Sequence, residues 1–234
     1  MTGLAQFFVY IDMNTAQKIE MTIDDLEIGS INLHEGYYPI SLKTSRGVLE
    51  CRYYASSSRR KGVIFAGGEK GGWDTPVRDM LYPGLANDLA RHEINCLRIK
   101  YRFPGNFAES ILDVLAGVSF LTFDGVESVG LVGHSFGGAT VIQAAAASPF
   151  ISTVVSLSPQ VIGTEAVDAF RETQSLLLIH GTADVIRTAD GSSHIYEYAH
   201  EPKKIILYKG ANHNLDEAAP QIFQTVKQWL HAKV

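Results

Sequence analysis

Residues Val129-Gly130-Leu131-Val132-Gly133-His134-Ser135-Phe136-Gly137-Gly138-Ala139 set the tightest limit on what this chain can fold into. A short apolar run meets a serine flanked by glycines, and small residues follow. The run reads as a buried strand, the serine as a sharp turn, and the small residues as a helix packed close to its neighbours. The spacing Gly133-x-Ser135-x-Gly137 is G-x-S-x-G, a strand–turn–helix pattern that lifts a serine hydroxyl clear of the backbone. Glycine at 133 and 137 leaves room where adjacent segments crowd such a turn. Taken alone, the pattern also fits a plain glycine-rich turn, so its surroundings decide.

Two further blocks lie downstream. Ser175-Leu176-Leu177-Leu178-Ile179-His180-Gly181-Thr182-Ala183-Asp184 is an apolar run of strand length ending in a turn with an acid. Lys204-Ile205-Ile206-Leu207-Tyr208-Lys209-Gly210-Ala211-Asn212-His213 is another strand, ending in a loop with a histidine. The order is Ser, Asp, His, and each candidate falls just past the carboxyl end of a predicted strand. Open α/β sheets place their ligand sites at that edge.

These three blocks resemble those of the α/β-hydrolase superfamily, and are most similar to the small, lid-poor serine esterases related to dienelactone hydrolases. The likeness runs from about Gly36 to the C-terminus. It implies an α/β-hydrolase fold and a nucleophile–acid–base triad of Ser135, Asp184 and His213. One departure stands out: dienelactone hydrolases proper use a cysteine nucleophile, where this chain has Ser135.

The chain's 234 residues suffice for one α/β domain with a full core. A composition of 46% apolar and 19% charged residues is that of an ordinary globular protein. The net charge of −5 gives no basic footprint for nucleic acid, so no nucleic-acid partner is expected. No apolar run reaches the length of a membrane span. Leu4–Ile11 is apolar but short and lacks a basic flank, so it reads as an extra strand or an arm rather than a signal peptide. The sequence leaves open whether this arm, residues 1–35, covers the site of the 36–234 domain or pairs with a second copy in a homodimer. Cys51 and Cys96 fall in predicted strands and read as small buried residues; a disulfide between them stays open. With two cysteines and no signal, a cytoplasmic location is expected.

Strands and helices alternate along most of the chain. That predicts a mostly parallel central sheet of about eight strands with helices on both faces. An antiparallel start is expected at Tyr37–Lys43 and Val48–Ala55, around a Ser45-Arg46-Gly47 turn. In the stretch from Met13 to His34, Ile19, Ile23 and Leu26 could line a short helix, although β-branched residues weaken that reading. A helix over about Val77–His92 is expected to break at Pro83-Gly84. Few residues separate Leu157 from Ser175, which leaves little or no room for a lid.

A serine hydroxyl needs a base to take its proton as it attacks a carbonyl, and that base needs a carboxylate to orient it. His213 and Asp184 fill those roles, with Asp190 the reserve acid. Two N–H donors must face the oxyanion. Phe136 supplies one, and Gly68 the other, with Glu69 as the alternative. Glu69, Trp73, Arg102, Phe103 and Gln160 fall near strand ends and are candidates for substrate contact; Arg102 could hold a substrate carboxylate. His134 should point away from the hydroxyl, and His180 should buttress the acid loop. No cofactor and no metal is required. The expected substrate is a small to medium carboxylic ester. A thioester, an acyl peptide, or a catalytically silent binding protein on the same fold are the alternatives.

Overall fold

A computed structural model describes residues 6–11 and 18–234. Its strands are β1 (Gln6–Ile11), β2 (Lys18–Ile28), β3 (Tyr38–Thr44), β4 (Gly47–Tyr54), β5 (Lys61–Ala66), β6 (Ile94–Lys100), β7 (Ser128–His134), β8 (Ile151–Leu157), β9 (Ser175–Gly181) and β10 (Lys203–Tyr208). They join in one sheet in the order β1-β2-β3-β4-β6-β5-β7-β8-β9-β10. From β6 to β10 in that order the strands run parallel. The first four form an antiparallel wing. The helices are α1 (Pro76–Asp79), α2 (Leu81–Ala90), α3 (Phe107–Phe123), α4 (Phe136–Ala147), α5 (Ala189–Tyr198) and α6 (Ala219–Lys233).

Alternation along the parallel strands divides the core in two. Ile64, Leu131, Leu176 and Leu178 face the side covered by α3, α4 and α5. Val63, Phe65, Val132, Leu177 and Ile179 face α2 and α6, where Leu81, Leu85, Leu89, Ile222, Val226 and Leu230 meet them. Successive strand residues point to opposite faces, so strands buried on both sides must be apolar throughout. Each fully buried Leu or Ile side chain adds about 1.5–3 kcal/mol over exposure. Cys51 and Cys96 are free and buried, one in each half of the core. Burial pushes both thiols well above their ordinary range, so they serve as packing groups. No helix among the described residues is long and apolar enough to cross a membrane.

Among the described residues the sheet has ten strands, against about eight expected, and the extra pair comes from the N-terminal region. Of Leu4–Ile11, the segment from Gln6 forms β1; Leu4, Ala5 and residues 12–17 lie outside the described residues. The possible helix around Ile19, Ile23 and Leu26 is instead strand β2. Met21 and Ile23 are buried with period two, and the register then slips between Ile23 and Asp25. That bulge inserts one residue, so Leu26 rather than Asp25 returns to the core face. Strand alternation plus one bulged residue thus imitates a helical spacing.

Pro83-Gly84 does not break the helix. Pro83 sits in the first turn of α2, where its missing N–H has no intrahelical partner to lose. The break falls at Met80, after Val77 and Arg78 adopt φ of 62° and 55°. Between β8 and β9 the chain holds only a 3₁₀ turn at Glu165–Ala169, so no lid covers the sheet edge from that side.

Candidate active site

β7 ends at His134 and α4 begins at Phe136, leaving Ser135 alone to make the turn. Its backbone takes φ 56° and ψ −113°, which costs about 1–3 kcal/mol for a residue with a side chain. The surroundings hold it there. Ser135 N–H donates to Leu157 O at 2.8 Å, and Ser135 O accepts from the N–H groups of Gly138 at 3.0 Å and Gln160 at 3.2 Å. A Cβ on Gly133 would lie 2.1 Å from Gly137 O, and one on Gly137 would lie 2.3 Å from Gly67 O. Those obstacles are main chain and cannot swing aside, so both positions require glycine.

The loop after β10 brings His213 to the serine, with Nε2 3.0 Å from Ser135 Oγ. Its Nδ1 lies 2.7 Å from Asp184 Oδ2, on the loop after β9. The geometry fits a serine O–H donating to Nε2 and an imidazole Nδ1–H donating to the carboxylate. Asp184 is enclosed. Its Oδ1 accepts from Ile186 N–H at 2.8 Å and Arg187 N–H at 2.9 Å, and its Oδ2 also lies 3.0 Å from His180 Nε2. Burial pushes this carboxyl's pKa up, but the Arg187 N–H, His213 and the Ile186 N–H outweigh it and hold it below the ordinary value. Asp184 is therefore an anion at neutral pH. Asp190, the reserve acid, is exposed in the first turn of α5.

His134 plays a part that its place in the sequence does not show. Its side chain is buried, and Nε2 lies 3.0 Å from the main-chain oxygen of His213. A carbonyl can only accept, so Nε2 carries the proton. Burial pushes the ring's pKa down to about 4, so it stays neutral. The residue before Ser135 thus braces the loop that carries His213, with the two rings 4.9 Å apart.

Gly68 departs from the reading of its sequence. Its N–H is already donated to Asp74 Oδ2, at 3.0 Å. The next amide, Glu69 N–H, has no acceptor among the described residues. Phe136 N–H is the first of α4, so it lacks an intrahelical acceptor and lies at the positive end of the helix.

The structure scatters the remaining candidates. Arg102 does not face an open site. Its side chain is 2% exposed and ion-paired to Asp113 and Glu109. Trp73 lies against the guanidinium of Arg52 at 4.3 Å, and its carbonyl accepts from Arg98 Nη2 at 2.8 Å. Gln160 turns its amide back to Ile162 O at 3.1 Å, so its contribution to the elbow is its backbone N–H. Phe103 is exposed. The Glu69 side chain is exposed and stands beside Gly105. Apolar side chains of Val161, Ile162, Val185 and Ile186 are exposed on the loops that leave β8 and β9.

A mostly parallel sheet with a serine on the turn between an inner strand and the following helix is the architecture of the α/β hydrolases. Within that class the chain belongs to the dienelactone hydrolase family, whose model matches residues 98–228, more than half of its length. Among solved structures, the dienelactone hydrolase from Anabaena variabilis is similar, with a TM-score of 0.74 at 19% identity over 85% of this chain and 98% of that one. Est1E from Butyrivibrio proteoclasticus gives a TM-score of 0.72 at 16% identity over 83% and 98%. A monoacylglycerol lipase from Paleococcus ferrophilus gives 0.64 at 18% identity over 78% and 98%. A search of curated proteins found no significant match.

Proposed function

We propose that this α/β hydrolase is a serine esterase that cleaves small to medium carboxylic esters through an acyl-enzyme on Ser135. The observation that carries the reading is the continuous chain from Ser135 Oγ through His213 to Asp184, at 3.0 and 2.7 Å. Ser135 Oγ attacks the ester carbonyl as its proton passes to His213 Nε2. Asp184 stabilises the imidazolium so formed. His213 then protonates the departing alkoxide, the C–O bond breaks, and the alcohol leaves. Water repeats the sequence on the acyl-enzyme, releasing the acid and restoring Ser135. The exposed apolar residues beside Gln160 and Asp184 suit an apolar acyl or aryl group. Est1E has been solved with ferulic acid bound, so aromatic acyl groups belong in a substrate panel with thioesters and acyl peptides for comparison.

The test is labelling by a fluorophosphonate, with the modified residue mapped by mass spectrometry. Modification at Ser135, followed by turnover of an ester panel, is the expected result. A folded protein that does not react would turn the reading to a binding protein.

Phe136 N–H and Glu69 N–H are proposed as the oxyanion donors, with Asp74 fixing the loop through Gly68. Replacing Asp74 separates this arrangement from one that uses Gly68. If Glu69 is the donor, Asp74→Ala loosens the loop and lowers kcat about tenfold, as expected for one charged hydrogen bond of about 1.4 kcal/mol. If Gly68 is the donor, the same change frees its N–H and raises kcat. The expected sign is a fall, read from steady-state kinetics.

A further inference from the structure

His180 is the next-to-last residue of strand β9, four residues before Asp184, and its side chain is fully buried. Its Nε2 faces two groups that can only accept: Asp184 Oδ2 at 3.0 Å and Arg187 O at 2.8 Å. Nε2 must therefore carry a hydrogen. Its Nδ1 lies 2.7 Å from Ser192 Oγ on α5, which can donate to it. Asp184 Oδ2 thus has two histidine donors, His213 Nδ1 on one side and His180 Nε2 on the other.

We propose that His180 is a positioning residue, whose Nε2–H shares Asp184 Oδ2 with His213, fixes the carboxylate and moderates its pull on the His213 imidazole. This rests on the reading of Ser135, His213 and Asp184 as the reacting groups. A space-filling role alone would suit Leu or Phe at the end of an apolar strand. An apolar residue there would remove one of the four donors on Asp184 and leave the Arg187 carbonyl without this partner. A carboxylate with fewer donors is a stronger base. It would hold the His213 proton more tightly and keep the base occupied to higher pH.

The ionisable group hydrogen-bonded to His180 is Asp184; α5 meets it through the Ser192 hydroxyl, and the acid loop through the Arg187 carbonyl. His213 is next on the shared oxygen, with His134 beyond it.

The test compares the pH dependence of fluorophosphonate labelling in wild type, His180→Leu and His180→Gln. The Leu change keeps bulk and removes both ring nitrogens; the Gln change returns an amide N–H. His180→Leu is expected to label about tenfold more slowly at its best pH, the effect of one lost hydrogen bond, with the acid limb moved to higher pH. His180→Gln should restore the limb and most of the rate. A folded Leu variant with an unmoved acid limb overturns the proposal, even if labelling is slower. Silence of the wild type overturns the serine-hydrolase reading and this role with it, so the two failures are distinct. Should the Leu variant not fold, ¹⁵N shifts of labelled histidine in the wild type decide the matter. The proposal requires the Nε2–H tautomer at His180, and the opposite tautomer refutes it.

Discussion

Ser135→Ala is expected to lower kcat for an ester substrate by about 10⁶-fold while leaving fold and stability intact, with His213→Ala close behind. In the proposed mechanism the two groups act as one unit. The serine without its base keeps its proton, and the base without the serine has no nucleophile to activate. The double variant should therefore be no worse than either single, and that non-additivity is the clearest signature of the relay. Asp184→Asn should cost less, about 10⁴-fold, because an amide can present the wrong partner to His213 Nδ1 and carries no charge to meet the imidazolium. A remainder of about 10³–10⁴ over water should survive in all of them, since the amides of Phe136 and Glu69 would still face the oxyanion. Single-turnover kinetics on one activated ester would check the series. Equal, small losses across the three positions would mean that they do not work together.

The grouping of Ser135, Asp184 and His213 was legible because the three residues sit at strand ends and each carries its own local signal. The elbow needs glycine at 133 and 137, and those glycines appear in the sequence because main chain occupies the space around them. The parallel strands were legible for a similar reason: burial on both faces leaves a solid apolar run. What escaped depends on contacts between distant segments. His134 looked incidental and His180 only a buttress of the acid loop, since nothing local shows that one reaches the carbonyl of His213 and the other shares the oxygen of Asp184. Asp74 lies six residues after Gly68, and no periodicity announces that its carboxylate takes that amide. In β2, the bulge near Asp24 broke the alternation that would have marked a strand.

Arg102→Ala is expected to destabilise the fold by about 3–5 kcal/mol, the usual cost of removing one member of a buried ion pair. The sequence suggested a guanidinium free to hold a substrate carboxylate; the structure uses it to join three segments. Arg102 Nε is bonded to Asp113 Oδ1, and its own N–H donates to Asp113 Oδ2 at 2.9 Å. One terminal nitrogen reaches Glu109 Oε2 at 2.9 Å, and the other donates to Arg46 O at 2.9 Å. Arg46 in turn pairs with Glu109. The cluster fastens the β3–β4 turn to the first two turns of α3. Without the guanidinium, Asp113 is a fully buried carboxylate with no cation, and Glu109 keeps only Arg46. Arg102→Lys should recover little, because one ammonium cannot reproduce the planar fork that serves two acids and a carbonyl. Arg102→Met with Asp113→Leu should recover much of the loss, since apolar groups of similar volume remove the charge that would otherwise stay unpaired. Chemical denaturation of the four proteins measures this directly. An Arg102→Ala variant of full stability, with KM raised only for anionic esters, would return Arg102 to the substrate site.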